Sequence, residues 1–161
     1  MIDLNPPVLA LDLATRTGWA VQALGTIASG VVTFEQPAAT KSRPKAHPGQ
    51  QYLEASRWFH KKFAELQPSI ICYEEVYRWM SSSAAHAYGA YRGAMLSQAA
   101  LLAIPCIGYT PTEIKKALTG KGTAKKPAMM AAIRKLYPGI KLIDDNQADA
   151  LAILRFHLNH K

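Results

Sequence analysis

Four acidic side chains in this sequence lie within or at the end of apolar segments, where an ionised carboxylate is costly unless something compensates it. Asp12 interrupts one apolar run and Glu74 ends another, while Asp145 and Asp149 open a third. Since the chain has only 11 Asp and Glu residues, four in such settings are a large share. A divalent metal ion is the simplest compensation for converging carboxylates, and oxygen-only ligands favour Mg²⁺ or Mn²⁺ over zinc. We therefore predict a metal site at these residues.

The same four acids also have a plainer interpretation as unrelated structural residues. A helix dipole stabilises acids such as Asp145 and Asp149 near a helix N-terminus, and Glu74 is also placed as a surface acid at a strand end. Asp12 fits this alternative least well, because it lies in the middle of an apolar run. Glu75 follows Glu74, and strand alternation points it to the opposite side of the sheet, so we assign it a secondary role.

The charge balance of the chain favours a polyanionic partner. The sequence has 19 Lys and Arg against 11 Asp and Glu, for a net charge of +8. Five lysines fall within twelve residues around a glycine-containing hinge, and each is a candidate phosphate contact: Lys115, Lys116, Lys121, Lys125 and Lys126. The alternative for this cluster is a solvated loop.

Three further side chains beside the acids are candidate nucleic-acid contacts. Arg16 lies in the turn after Asp12, and it is either a phosphate contact or a surface charge. Tyr77 and Arg78 follow the Glu74 strand, where an aromatic ring stacks on an exposed base and an arginine holds a phosphate. Packing against the next helix is the alternative for Tyr77, and still more for Trp79.

The spacing of apolar residues predicts the elements that must position these side chains. Strands are expected at residues 8–13, 19–22, 30–34, 69–73 and 105–109. Helices are expected at residues 50–66, 81–103, 112–118, 126–137 and 144 to about 157, with Thr112 and Asp144 as N-caps. Three short strands with tight connections pair antiparallel, and the alternating helices and strands after them add parallel strands. The prediction is an α/β fold: a five-stranded mixed sheet, three antiparallel strands and then two parallel ones, flanked by helices on both faces.

The length of 161 residues predicts a single domain over residues 1–161. No run of about 18 apolar residues is present, so we expect neither a membrane span nor a membrane partner. The first residues carry no basic, signal-like segment, and a cytoplasmic location is expected.

The ordered set of motifs resembles the ribonuclease H-like fold and, within it, the RuvC-type Holliday junction resolvases. Each motif alone is weak, but together they span nearly the whole chain in the family's order: residues 11–21, 73–77, 89–93, 114–126 and 147–153.

The resemblance implies a metal-dependent endonuclease, a crossover junction endodeoxyribonuclease, that resolves four-way DNA junctions in recombination and repair. It implies two Mg²⁺ or Mn²⁺ ions held by the four acids, with Lys115 and Lys126 near the scissile phosphate and Tyr77 as an aromatic wedge. It also implies a homodimer paired through the long helix that carries Gly89 and Gly93, although packing onto the chain's own sheet also explains these glycines. The short Pro-rich N-terminus resembles phage or prophage members, which would place the enzyme in the host cytoplasm.

The chain departs from the family pattern at the fourth acid. The family often supplies two C-terminal acids three residues apart, whereas here Asn146 lies three residues before Asp149 and Asp145 lies four before it. On a helix both spacings share a face, so Asp145 fills the role if the helix has already begun there. Whether Asp145 or Asn146 is the fourth ligand stays open at this point.

Three other functions remain alternatives. A junction-binding module with a weakened site would explain Asn146. A nuclease of the same fold acting on an RNA–DNA hybrid or another branched substrate would use the same acids. A member of the actin and sugar-kinase superfamily also carries an aspartate before a Gly/Thr-rich turn, but this chain is short for a two-lobed ATPase.

Overall fold

The computed structural model describes residues 6–36, 38–42, 44–79 and 81–160. The strands in these ranges are β1 Val8–Asp12, β2 Arg16–Ala23, β3 Thr26–Thr33, β4 Ile70–Glu74 and β5 Cys106–Tyr109. The helices are α1 Gln50–Leu66, α2 Ser82–Leu101, α3 Pro111–Thr119, α4 Lys126–Leu136 and α5 Asp145–Asn159. Each element matches one expected from the sequence, although β2 and β3 are longer than predicted.

The sheet has the strand order β3-β2-β1-β4-β5. β1 pairs antiparallel with β2, and β2 with β3, while β4 runs parallel to both β1 and β5. The predicted mixed sheet is therefore confirmed. β2 and β3 are joined by a two-residue turn in which Leu24 and Gly25 both have positive φ, of 50° and 74°. A tight hairpin of this kind extends both strands beyond the apolar residues that predicted them.

Alternation along β1 and β4 separates two hydrophobic cores and decides where the acids face. Leu9 and Leu11 pack in the core shared with α1 and α2, whereas Val8 and Ala10 pack in the core shared with α3, α4 and α5. Asp12 continues the series of Val8 and Ala10. In β4, Cys72 belongs to the second core as well, and Glu74 continues its series. The strand period therefore directs Asp12 and Glu74 to the side of the sheet that α5 covers.

The capping residues show one correct and one wrong N-cap prediction. Asp144 caps α5 as predicted, because its carboxylate accepts the backbone N–H of Gln147 at 3.0 Å. The predicted cap Thr112 is wrong: Thr110 caps α3 in a reciprocal capping box with Glu113, and Pro111 fills the first helical position. Within the described residues, the helices lack the length and apolar character needed to cross a membrane.

Candidate active site

A cleft of about 840 Å³ opens where β1 and β4 end. Asp12 and Glu74 line it from these strands, and Asn146 and Asp149 line it from α5. Three of the five clustered lysines, Lys115, Lys125 and Lys126, line the same cleft. The other two, Lys116 and Lys121, are exposed residues that do not line the cleft. The fold thus brings acids and lysines from distant parts of the sequence to one open cavity.

The first turn of α5 lies directly against β2 beside Asp12. Gly18 is the antiparallel partner of Asp12, and a Cβ at Gly18 would overlap the carbonyl of Asn146 and lie 3.1 Å from the nitrogen of Gln147. Glycine at this position is what allows the helix to approach the sheet so closely. The close approach places the acids of α5 next to Asp12.

Arg16 fastens the same end of α5 to the sheet. Its guanidinium forms an ion pair with Asp144, the cap of α5, and donates a hydrogen bond of 3.1 Å to Thr33 Oγ1. The sequence left Arg16 as either a phosphate contact or a surface charge. In the structure this side chain pairs with Asp144, and Arg16 is not among the residues that line the cleft.

Burial, followed by repulsion between carboxylates, raises the pKa values of three acids in the cleft. Burial raises the pKa of Asp12 well above its ordinary value, and the charges of Asp149, Glu74 and Asp145 raise it further. Burial, followed by the charge of Asp149, raises the pKa of Glu74 to about 7. Burial, followed by the charge of Asp145, raises the pKa of Asp149 to about 6. Such mutual repulsion in a partly buried setting is typical of functional sites.

Asp145 differs from the other three acids, because it already has a cationic partner. α5 begins at Asp145, so the residue lies one helical turn before Asp149. Lys126 forms an ion pair with Asp145, and this hydrogen bond holds the pKa of the Asp145 carboxyl below its usual range. Asn146 lines the cleft, and its side-chain amide donates to Asp144 at 3.4 Å.

The donor set at this end of the cleft fits a hard divalent cation. Within the described residues, no three His, Cys, Asp or Glu side chains lie close enough together to form a ready-made cage. The groups that converge are carboxylates, the ligands that Mg²⁺ and Mn²⁺ prefer. A cation among them would reverse the repulsion that raises the pKa values of Asp12, Glu74 and Asp149.

The segment after β4 presents aromatic and cationic groups beside the acids. The Tyr77 side chain is 77% exposed, which leaves its ring accessible for stacking. Arg78 and Trp79 line the cleft. The Trp79 ring lies 4.8 Å from that of Tyr88, and its Nε1 donates to the Val76 carbonyl at 3.2 Å, so Trp79 packs as the alternative prediction held.

Two contacts near the acids were not expected from the sequence. The Tyr88 hydroxyl donates a hydrogen bond of 2.6 Å to the backbone carbonyl of Glu74. Arg92 donates to Glu75 at 2.9 Å, on the opposite side of the strand end from Glu74, as alternation predicted for Glu75. The spacing of apolar residues predicted that Tyr88 and Arg92 lie on α2. It does not predict which atoms of β4 their side chains contact.

Comparisons with known proteins were made for both the sequence and the fold. The family model described as "Crossover junction endodeoxyribonuclease RuvC" matches residues 14–157. A protein of that name from Rickettsia akari (strain Hartford) is 31% identical over 153 residues, which cover 91% of this chain and 92% of the relative. Another of that name from Zymomonas mobilis subsp. mobilis (strain ATCC 31821 / ZM4 / CP4) is 28% identical over 144 residues, 85% of this chain and 86% of the relative. These bacterial relatives do not bear out the expected phage or prophage origin.

Two solved structures share the fold. The structure of Thermus thermophilus RuvC in complex with a Holliday junction substrate has a TM-score of 0.75 at 23% identity, over 96% of this chain and 93% of that one. The yeast mitochondrial Holliday junction resolvase Ydc2 has a TM-score of 0.65 at 10% identity, over 92% of this chain and 76% of that one. At these identities the likeness shows a common fold, which agrees with the expected ribonuclease H-like architecture.

Proposed function

Since this chain belongs to the RuvC family of crossover junction endodeoxyribonucleases, we propose that it resolves four-way DNA junctions by metal-dependent hydrolysis of phosphodiester bonds. One observation carries the proposal: acids from β1, β4 and α5 line one cleft together with three lysines. A phosphodiester in that cleft would meet both cationic and metal-binding groups. The proposed enzyme is a single nuclease domain over residues 1–161, located in the cytoplasm.

The proposed metal ligands are Asp12, Glu74, Asp149 and Asp145. Four carboxylates carry a charge of −4, which two Mg²⁺ or Mn²⁺ ions balance. When bound, such a pair of ions supplies an activated attacking water and charge stabilisation for the leaving 3′ oxygen. We favour Asp145 over Asn146 as the fourth ligand, because a hard cation prefers an ionised oxygen and α5 has already begun at Asp145.

The cationic residues divide into inner and outer DNA contacts in this proposal. Lys115 lowers the pKa values of both Glu74 and Asp149, so its charge acts on the end of the cleft where the scissile phosphate would lie. There it stabilises charge that develops in the transition state. Lys126, which forms an ion pair with Asp145, is proposed to have the same role. Lys125 and Arg78 are proposed to hold flanking phosphates, and the exposed Lys116 and Lys121 to act farther along the backbone.

Two further roles concern residues near the rim of the site. Tyr77 is proposed as the aromatic group that stacks on an unpaired base at the junction, because its ring is largely exposed. Arg16 was a candidate DNA contact, but we now propose that it positions α5 through Asp144.

The salt dependence of junction binding tests the proposed contacts between the lysines and the DNA phosphates. If roughly six phosphates are neutralised, the slope of log K against log salt is expected to be about −5. Lys115→Ala is expected to reduce the slope by about one unit and to slow cleavage beyond the loss in binding. Fluorescence anisotropy with a labelled junction across a salt series measures this. Lys135→Ala, an exposed lysine outside the cleft, is the matched control, and a salt-independent affinity would contradict a nucleic-acid substrate.

Metal binding is also expected to depend on pH in a defined direction. The pKa of Glu74 is raised from 4.5 to about 7 and that of Asp149 from 3.8 to about 6, so the folded state holds protons that the unfolded state has released. Their contribution to stability therefore falls as pH rises through this window. Mg²⁺ requires ionised ligands, so its stabilising effect grows over the same window.

We expect Mg²⁺ at about 100 times its Kd to raise the Tm by roughly 5–10 °C near pH 8, and by much less near pH 5. Differential scanning fluorimetry with and without Mg²⁺ across that range measures the difference. An equal shift at both pH values would contradict a metal site built on these carboxylates.

The proposed dimer pairs two copies through α2. Gly89 and Gly93 are exposed on this helix. Apart from the backbone of α2 itself and the residues next to each glycine, no atom of the described residues lies within 4 Å of a Cβ added at either position. Close packing onto the chain's own sheet therefore does not explain them. A two-fold pair also supplies the two cuts that a symmetric junction needs.

Gly93→Glu tests the α2 interface, because it places a bulky charge at the proposed contact. We expect the variant to sediment as a monomer and to lose paired cleavage of the two opposed strands. The monomer fold is expected to be unaffected, since the added side chain projects into open space. A dimeric variant with full activity would place the interface elsewhere.

The proposed function is tested by cutting labelled four-way junction, flap, duplex and RNA–DNA hybrid substrates with and without Mg²⁺. We expect symmetric, Mg²⁺-dependent nicks in the junction above all other substrates. Junction binding without cleavage at any metal concentration would favour the weakened binding module that Asn146 suggested. Preferred cleavage of the hybrid would identify a different substrate for the same acids.

A further inference from the structure

The end of β4 is paired with β5 through Glu74 and Tyr109, but on the β1 side it is held by an interaction from outside the sheet. The parallel pairing of β1 with β4 ends at Leu11 and Tyr73, so Glu74 lies one residue beyond it. The carbonyl of Glu74 accepts the Tyr88 hydroxyl at 2.6 Å, a bond that reaches β4 from α2. Tyr88 is only 8% exposed, so its ring has little freedom to move. A buried side chain thus fixes the backbone of Glu74 where the ladder with β1 stops.

The same helix also fixes the next residue of the chain. Arg92, one turn after Tyr88, donates to Glu75 Oε2 at 2.9 Å, and the Tyr73 hydroxyl donates to the same oxygen at 2.8 Å. Gly108 on β5 leaves the room for this cluster, since a Cβ there would lie 2.9 Å from Glu75. Two successive residues are therefore fixed from α2, Glu74 through its backbone and Glu75 through its side chain.

Trp79 closes the third side of this arrangement. Its ring lies 4.8 Å from that of Tyr88, and its Nε1 bond to Val76 turns the segment after β4 back over the tyrosine. Tyr88 consequently packs between α2, the end of β4 and the segment that follows it, where it also lines the cleft. A hydroxyl packed in this way has a well-defined direction.

We propose that Tyr88 is a positioning residue that sets the direction of the Glu74 carboxylate toward the metal. The inference rests on the proposed function, since it takes Glu74 to be a metal ligand. Repulsion from Asp149 favours a Glu74 side chain that turns away, and a fixed backbone limits that movement. Outer partners that bond a metal ligand typically contribute 10- to 100-fold to affinity or activity, and because Tyr88 bonds the backbone of Glu74 and not its carboxylate, we expect an effect at the lower end of that range.

Tyr88→Phe tests the proposal, because it removes the hydroxyl and keeps the ring. We expect the Kd for Mn²⁺, measured by isothermal titration calorimetry without DNA, to rise by about 10-fold. The single-turnover cleavage rate at saturating junction is expected to fall by about the same factor at fixed metal concentration. Tyr88 lines the cleft but is only 8% exposed, and Tyr88→Phe keeps its ring, so junction affinity measured without metal is expected to stay close to that of the wild type.

Tyr91→Phe is the matched control. Tyr91 is also buried on α2, and its hydroxyl donates to Thr15 at 3.3 Å rather than to β4. We expect this variant to lose stability comparably but to bind Mn²⁺ like the wild type. Equal Mn²⁺ affinity in Tyr88→Phe and the wild type overturns the proposal, as does an equal loss in both tyrosine variants.

A second variant covers the case in which Tyr88→Phe does not fold. Glu75→Gln keeps the shape of the Glu75 side chain but removes the negative charge that pairs with Arg92. We expect the Kd for Mn²⁺ to rise measurably, but by less than in Tyr88→Phe. Unchanged Mn²⁺ binding in that variant would show that fixing the end of β4 from α2 does not govern the Glu74 carboxylate, and this would overturn the proposal. A wild-type protein that neither binds Mn²⁺ nor cuts a junction would overturn the proposed function together with this inference, whereas a functional wild type isolates the failure to Tyr88.

Discussion

Asp12→Asn is expected to lower junction cleavage by about 1000-fold or more while leaving junction binding largely intact. The substitution changes one oxygen to an NH₂ group at a position that alternation along β1 directs toward α5. It removes a charge whose interaction with Glu74, Asp145 and Asp149 raises the pKa of Asp12. Relief of that repulsion should make the metal-free variant increasingly more stable than the wild type as pH rises, because the buried group no longer needs to ionise. Loss of activity together with a gain in stability is the signature of a functional acid, not of a structural one.

Single-turnover cleavage and metal-free thermal unfolding of Asp12→Asn measure both effects on the same preparation. Asp145→Asn and Asn146→Ala are the matched pair that separates the candidate fourth ligands. We expect Asp145→Asn to abolish cleavage and Asn146→Ala only to weaken it, because the cation needs an ionised oxygen. Wild-type nicking by Asp12→Asn would remove the metal site, and an inactive Asn146→Ala beside an active Asp145→Asn would reverse the assignment on α5.

The elements and the facing of the acids could be predicted from the sequence because both depend on local periodicity. Asp12 interrupts an apolar run, and the same alternation that sorts Leu11 from Ala10 assigns its face. Asp144 was recognisable as a cap for the same reason, since capping needs only the residues of one helical turn. Thr112 was predicted as the cap of α3, but the helix begins at Pro111, a residue that is favoured at the first helical position, and Thr110 caps it.

Contacts between distant segments could not be predicted in this way. Arg16 and Asp144 are 128 positions apart, and only the docking of α5 on β2 brings them together. The bond from Tyr88 to the Glu74 carbonyl depends on how α2 packs under the end of β4, which periodicity does not specify. The pairing of Lys126 with Asp145 likewise follows from the contact between α4 and α5. Local periodicity therefore predicts which way a residue faces, whereas tertiary packing decides its partners.

Gly18→Ala is expected to damage the active site from outside it. A Cβ at Gly18 would overlap the carbonyl of Asn146, and backbone atoms on both sides leave no flexible side chain to move aside. The first turn of α5 must therefore shift away from β2, and Asp145 and Asp149 shift with it. We expect a loss of about 1–3 kcal/mol in the free energy of unfolding. Because misplacement by about 1 Å can cost 100-fold in rate, we expect cleavage to fall by at least about that factor.

The two parts of this prediction are measured separately, by urea denaturation and by single-turnover cleavage under conditions where the variant is fully folded. Gly139→Ala is the control. Apart from the two neighbouring residues, no atom of the described residues lies within 4 Å of a Cβ added at Gly139, and Gly139 does not have a positive φ. It should leave both quantities close to the wild type. Calorimetry should show weakened Mn²⁺ binding by folded Gly18→Ala, because Asp149 no longer lies beside Asp12. A folded Gly18→Ala that cuts junctions at the wild-type rate would mean that the close approach of α5 to β2 does not set the spacing of the acids.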